Sequence, residues 1–278
     1  MDALKPFVWL WQRVPSSWRR GLVKARIAPR LRSIANRLYP DSLGVFDLAE
    51  PLGGHRMRLH WQTQKAYVFG THEPGVTEAV RRTVQPGQVA LDLGANIGYH
   101  TLLLAQRVGP LGKVIAFEPL PGVFKVLQEN VALNGYRNVV LENKAVAGCS
   151  GPVSIKINDT DPLTSTASIV SGRGFEAEAV SLDDYFGSRT ESVAFIKMDV
   201  EFAEAQVLEG MKHLMQRDRP ILLIELHAFD ILSDRHPALL KVKAAGYSVS
   251  FLEAPGAQVH ILAKPDLQVV NANFHLTI

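Results

Sequence analysis

Val89-Ala-Leu-Asp-Leu-Gly-Ala-Asn-Ile-Gly-Tyr-His-Thr101 decides the fold of this chain. A short apolar strand runs directly into a turn carrying Gly94 and Gly98, and residues that suit a helix follow at once. Glycines in such a turn let the backbone approach a ligand closely, and the arrangement marks the binding corner of a doubly wound α/β sheet. The spacing is Asp-x-Gly-x-Asn-x-Gly, so Asp92 stands where a pyrophosphate would want no negative charge. A carboxylate there suits a ligand with cationic sulfonium and ammonium groups and argues against a dinucleotide. Asp92, Gly94, Asn96, Gly98 and Thr101 are therefore candidate ligand contacts, whereas His100 reads as structural or as a further contact.

Working outward, Lys113-Val-Ile-Ala-Phe-Glu118 predicts a second strand ending in an acid 24 positions after Gly94. Glu118 is placed to accept hydrogen bonds from both hydroxyls of a ribose. The third strand leads into Glu142-Asn-Lys-Ala-Val-Ala147, where Asn143 or Ala145 would meet an adenine ring. Strands near 89–93, 113–117, 138–142, 193–198 and 220–226 alternate with helices near 98–108, 121–134 and 203–216, the rhythm of a parallel sheet covered on both faces. Tyr247–Leu252 and Gln258–Leu262 predict an antiparallel hairpin that completes a mostly parallel, seven-stranded sheet. Residues 148–181 break the rhythm with a polar Ser/Thr/Gly-rich stretch, read as a substrate lid above the carboxyl edge of the sheet. Gly44–Phe69 reads as short strands preceding the main domain. The expected division is a helical arm over 1–40, a β/α cover over 41–85 and the ligand-binding domain over 86–278.

The fourth strand releases Asp199 and Glu201 at the carboxyl edge, where a second substrate must sit, and the fifth brings Glu225 and His227 to the same region. Glu225 lies in an otherwise apolar strand, where a carboxylate is costly without a partner or a purpose. Upstream, Glu73 either reaches the ligand's ammonium group or starts a helix as a favourable N-terminal acid.

The chain has 278 residues, 47% hydrophobic and 21% charged, which suits a folded globular protein. Its single cysteine, Cys149, excludes an intrachain disulfide and a Cys-based zinc site and fits a reducing compartment. Net charge is +3 but uneven: residues 1–40 hold nine Lys or Arg against one acid, and the remaining 238 hold 21 bases and 26 acids. Trp18, Leu22, Ile27, Leu31, Ile34 and Leu38 recur near helical spacing among these bases, which predicts a basic amphipathic helical arm with a break at Pro29. It is expected to contact an anionic membrane surface, a second copy of the chain or its own domain. No apolar run reaches the roughly 20 residues that a bilayer requires, and the expected location is cytoplasmic, at most peripheral to the inner membrane surface.

Together these residues resemble the FkbM family of S-adenosylmethionine-dependent methyltransferases. The resemblance runs from about Phe69 to Leu252 and is carried by the glutamate of His72-Glu-Pro74, Asp92-Leu-Gly-Ala-Asn-Ile-Gly-Tyr99, Ala116-Phe-Glu-Pro119, Val180-Ser-Leu-Asp-Asp184, Ile196-Lys-Met-Asp-Val-Glu201, Val207-Leu-Glu-Gly210 and Ile224-Glu-Leu-His227. It implies a class I, Rossmann-like methyltransferase fold, S-adenosylmethionine as cofactor, and methylation of a hydroxyl on a sugar, glycan or polyketide-like small molecule. Such a transfer needs a base beside the hydroxyl, for which His227 is the first candidate and Glu201 the second, with Asp199 and Glu225 shaping the site. One position departs from the family: Phe202 follows Asp-Val-Glu where glycine is usual. Asp199, Glu225 and Asp230 offer oxygen ligands to a hard cation, yet no spacing demands one, and no metal ligand is assigned.

Two rivals remain at this level. A nucleic-acid methyltransferase would use the basic arm as a tether; base methylation lacks its stacking motif, and ribose 2′-O-methylation finds only Lys197, Asp199 and Glu225 of a fuller set. A cofactor-binding subunit without catalysis, engaged in assembly or at a membrane, would explain Phe202 and the arm but not the intact Asp92, Gly94, Gly98 and Glu118.

Overall fold

A computed structural model describes residues 43–157, 167–170, 174–227, 235–253 and 258–266. The basic arm, the Asp159–Thr166 stretch and Asp230 lie outside these residues. The described residues fall into two compact units, one comprising 43–74 with Ala132–Gly135, the other Gly75–Val131 and the described residues from Tyr136 onward. No helix among the described residues is long and apolar enough to cross a membrane.

In the first unit, β1 (Leu43–Asp47) and β2 (Arg56–His60) form an antiparallel pair, as the alternating pattern suggests. Trp61–Val68 then forms helix α1 and not further strand. Gln64 explains the switch: its Oε1 accepts from the His60 backbone N–H at 2.8 Å and caps the helix start, while Trp61 is fully buried against Phe46 and Phe69.

The second unit begins with α2 (Pro74–Thr83) and holds a seven-stranded sheet. Its strands are β3 (Val89–Leu93), β4 (Lys113–Phe117), β5 (Val139–Glu142), β10 (Val193–Met198), β11 (Ile221–His227), β12 (Tyr247–Phe251) and β13 (Gln258–Pro265). The order is β12-β13-β11-β10-β3-β4-β5, parallel except for β13, which pairs antiparallel with both β11 and β12. This is the doubly wound, class I methyltransferase arrangement. Leu91, Ile115, Ile196, Leu222 and Ile224 on one face and Ala90, Val114, Phe195 and Leu223 on the other are buried, as strands covered on both sides require. Helices α3 (Tyr99–Val108) and α4 (Pro121–Leu133) follow β3 and β4 at the expected positions.

Two further expectations are corrected. The helix expected over 203–216 is two helices, α6 (Glu204–Glu209) and α7 (Lys212–Asp218). Gly210 separates them because it packs on backbone: a Cβ there would lie 2.4 Å from the Ala147 carbonyl oxygen. The Gly210 carbonyl accepts from the Asp183 N–H at 2.8 Å, and the Asp183 carboxylate accepts from the His213 and Leu214 N–H groups, starting α7 afresh. Residues 148–181 also contain regular structure rather than only a polar lapse. After β6 (Ala145–Val146), strands β7 (Gly151–Ile157), β8 (Ala167–Val170) and β9 (Phe175–Val180) form a second sheet, β6-β9-β7-β8, followed by the short helix α5 (Leu182–Phe186). Val153, Ile155 and Ile157 alternate along β7, and the Ser and Thr residues obscured that period.

Register decides what reaches the carboxyl edge. Leu93 pairs with both Phe117 and Met198, so β3, β4 and β10 end together and deliver Gly94, Glu118 and Asp199 side by side. Ile224 pairs with Met198, and β11 continues past it to Glu225 and His227.

Candidate active site

Asp92 is completely buried at the end of β3, and its Oδ2 accepts from Thr101 Oγ1 at 2.6 Å. Thr101, also fully buried, thus orients the carboxylate from the first turn of α3. Gly94 adopts φ +77, and a Cβ on it would stand 1.8 Å from the Asp199 carbonyl oxygen. Only glycine allows β3 and β10 to end this close together. Asn96 has a left-handed backbone too, at φ 49, which asparagine tolerates because its own Oδ1 accepts from Ile97 N–H at 2.7 Å. Gly98, at φ +96, starts α3.

Glu118 is buried, with Oε2 accepting from Asn96 N–H at 3.0 Å and Oε1 from Leu120 N–H at 2.9 Å. Burial raises its pKa to about 7; the two N–H groups oppose that rise, and the charges of Asp199 and Asp92 add to it. Asn143 is exposed and serves as a brace, its amide donating to the carbonyls of Glu118 at 2.8 Å and Pro119 at 3.1 Å. The neighbouring Lys144 and Ala145 line the cleft instead.

That cleft is lined by Gly94, Asn96 and Glu118, by the apolar Phe117, Val146, Ile155 and Ile169, and by Asp199, Val200 and Glu201. A glycine cradle, a buried carboxylate and an apolar slot together fit a nucleoside-bearing ligand. Glu73 belongs to the first unit, where it has φ 39 and pairs with His72 at 3.0 Å. His100 is buried with its ring edge-on to Tyr99.

Around Asp199 and Glu201 the structure gathers charge. Asp199 Oδ2 accepts from Lys197 Nζ at 3.1 Å, and Lys197 is itself buried. His227, with 2% of its side chain exposed, places Nδ1 2.8 Å from Glu204 Oε1. Its Nε2 faces Glu201 Oε2 at 3.5 Å, Glu225 Oε1 at 3.6 Å and Asp199 Oδ1 at 3.9 Å. Glu225, on the far side, meets His260 Nε2 at 3.5 Å, and His260 Nδ1 lies 2.6 Å from Glu253. Thus the buried acid of β11 has two imidazole partners.

Glu204 and His260 were not singled out from the sequence. Glu204 looks like an ordinary first-turn helix acid, and His260 acquires its role only when β13 pairs antiparallel with β11 opposite Glu225.

Electrostatics reverse the order of the two candidate bases. Burial disfavours the His227 imidazolium, but the Glu204 bond and the charges of Glu201, Glu225 and Asp199 outweigh it and hold the pKa at about 9. An imidazole already protonated at neutral pH cannot accept a proton. Glu201 is pushed the other way, to about 7, chiefly by burial, with His227 opposing and the neighbouring acids adding.

Glu201 and Phe202 form consecutive left-handed residues, at φ 46 and φ 70. This is the physical reason glycine suits position 202: a side chain at positive φ costs about 1 kcal/mol or more. Phe202 is 57% exposed, with its ring tilted over His227 at 5.4 Å. Phe202→Val should destabilise by roughly 1–2 kcal/mol more than Phe202→Gly in urea titrations, because a β-branched residue resists this conformation. Equal stability of the two variants would show that backbone geometry does not govern the position.

The model of the Methyltransferase FkbM domain matches residues 92–249, more than half of the chain. Over 129 residues the chain is 34% identical to the protein-L-isoaspartate O-methyltransferase of Aeropyrum pernix, covering 44% of this chain and 45% of that one. Over 162 residues it is 26% identical to the hexuronic acid methyltransferase AglP of Haloferax volcanii, covering 56% and 63%. In both cases the match spans less than two thirds of the relative's length. Among solved structures, the methyltransferase FkbM of Methylobacillus flagellatus is similar over 89% of this chain and 60% of that one, at 17% identity and a TM-score of 0.45.

Proposed function

The chain belongs to the FkbM family of S-adenosylmethionine-dependent methyltransferases, and from that premise we propose that it methylates a hydroxyl group of a sugar, glycan or related small molecule. One observation carries this reading: Asp199 and Glu201 line the same cleft as Gly94 and Glu118, so a base and a cofactor cradle face a common space.

In this reading Glu118 accepts the ribose hydroxyls, Gly94 and Gly98 let the backbone close on the cofactor, and Asp92 supplies negative charge behind the turn. The apolar wall of Val146, Ile155 and Ile169 receives the adenine. S-adenosylmethionine supplies an electrophilic methyl group. Glu201 would take the proton of the acceptor hydroxyl as that oxygen accepts the methyl group the bound cofactor would supply. His227, kept cationic and fixed by Glu204, holds the carboxylates of this group in place. Similarity to a hexuronic acid methyltransferase supports a sugar acceptor.

The test is calorimetric titration with S-adenosylmethionine, followed by transfer of labelled methyl groups to methyl glycosides and methyl glycuronides. Cofactor binding with label on an acceptor oxygen is the expected result. Absence of cofactor binding, or label found on nitrogen or carbon, would overturn the reading.

Glu118→Gln should weaken cofactor affinity roughly 10²-fold, since hydrogen bonds to a charged acceptor contribute about 1.5–3 kcal/mol each. Because burial lifts the free carboxyl to about 7 and the ribose hydroxyls favour the ionised form, affinity should also fall as pH drops below 7, with proton release on binding. Affinity that stays flat from pH 8 to pH 6 would remove Glu118 from the ribose.

A further inference from the structure

We infer that Asp199, Glu201 and His227 form a site for one divalent cation at the acceptor end of the cleft. Their ligand atoms lie within 4.8 Å of one another. His227 Nε2 stands 3.5 Å from Glu201 Oε2 and 3.9 Å from Asp199 Oδ1. Ligand atoms about 2.0–2.2 Å from a shared ion lie roughly 3–4 Å from each other, so these gaps suit ligands of one ion.

The decisive atom is His227 Nε2. Its side chain is 98% buried, Nε2 makes no hydrogen bond, and it points among carboxylate oxygens. A buried ring nitrogen in that position normally has a partner, and an ion between it and the carboxylates would be one.

The surroundings are those of a metal ligand set. Glu204 accepts from the opposite ring nitrogen at 2.8 Å and fixes the ring, while the ion displaces the proton that Nε2 carries in the metal-free protein. Asp199 Oδ2 accepts from Lys197 Nζ at 3.1 Å, and Oδ1 lies 3.9 Å from His227 Nε2. Glu225 and Glu204 add negative charge that a dication offsets. One imidazole with two carboxylates favours a first-row transition ion such as Mn²⁺ over Ca²⁺.

The role of this ion rests on the methyl-transfer reading. Such an ion would bind the hydroxyl to be methylated together with a neighbouring oxygen, so the acceptor class is a vicinal diol or a hydroxy acid. A Glu201 bound through one oxygen keeps the other for the hydroxyl proton.

The experiment titrates Mn²⁺ into full-length, chelator-treated protein by electron paramagnetic resonance, with S-adenosylmethionine affinity and thermal unfolding measured on every sample. Wild type should bind one Mn²⁺ per chain. Asp199→Asn and His227→Gln should each weaken it at least tenfold, and Glu204→Gln, which acts through the ring, about 10- to 100-fold. No binding at millimolar Mn²⁺, or affinity unchanged in folded Asp199→Asn and Glu204→Gln, would overturn the site. If chelator-treated protein transfers methyl groups at full rate and binds no Mn²⁺, the ion falls while hydroxyl methylation stands. If Mn²⁺ binds as described but no hydroxyl is methylated, the site stands and its role falls.

Discussion

Gly94→Ala is expected to abolish detectable S-adenosylmethionine binding and to lower folding stability by roughly 2–5 kcal/mol. Two effects add. The residue sits at φ +77, where an L side chain costs about 1–2 kcal/mol. The new methyl group would also stand 1.8 Å from the Asp199 carbonyl oxygen, a backbone atom with no rotamer to escape into. The ends of β3 and β10 must part, and forced overpacking of this kind costs about 1–3 kcal/mol. Parting them moves Asp199 away from Glu118 and opens the floor of the cleft. Gly87→Ala is the control: its φ is +84, but nothing lies within 4 Å of the added carbon. Urea denaturation should therefore show about 1 kcal/mol lost at Gly87, with cofactor affinity intact. Equal losses at the two positions would mean that the close approach at Gly94 contributes nothing.

The second large effect is expected at Glu204. Glu204 and His227 each have 2% of their side chains exposed and meet at 2.8 Å. Removing one partner of such a buried pair strands the other, at a cost of about 3–5 kcal/mol. Glu204 also accepts from the Phe202 N–H at 3.1 Å, which holds the left-handed pair that presents Glu201. Glu204→Ala should thus lower the melting temperature by on the order of 10 °C and reduce methyl transfer more than it reduces cofactor affinity. Glu204→Gln, whose amide oxygen still accepts from Nδ1, should recover part of the lost stability. An alanine variant as stable as wild type would show that the imidazole is satisfied without Glu204.

Much of the sheet was legible because its signals are local. Val89–Leu93, Lys113–Phe117 and Val193–Met198 are short, largely apolar runs in which only Asp92, Lys113 and Lys197 are charged, and the structure places strands at those positions. The helices following Gly98 and Leu120 were equally plain. Where the sequence misled, a distant contact outweighed a local pattern. The apolar period over 203–216 predicts one helix, but Gly210 must pass against the Ala147–Gly148 backbone, so the helix breaks. Serines and threonines in 148–181 read as a polar lid above the sheet and hid the strand period, while pairing across β7, β8 and β9 gave the described residues of this stretch a sheet.

Sequence by itself determined the strands of the main sheet with the helices after β3 and β4, the glycine cradle with its carboxylates, and which acids would reach the carboxyl edge, because each depends on residue type and short spacing along one chain. Tertiary structure alone decided their chemistry. It put Glu204 on one nitrogen of His227 and three carboxylates near the other, and it set His260 beside Glu225. Protonation and ligand geometry arise from distances between groups on different elements, and no residue's type or position in the chain contains those distances.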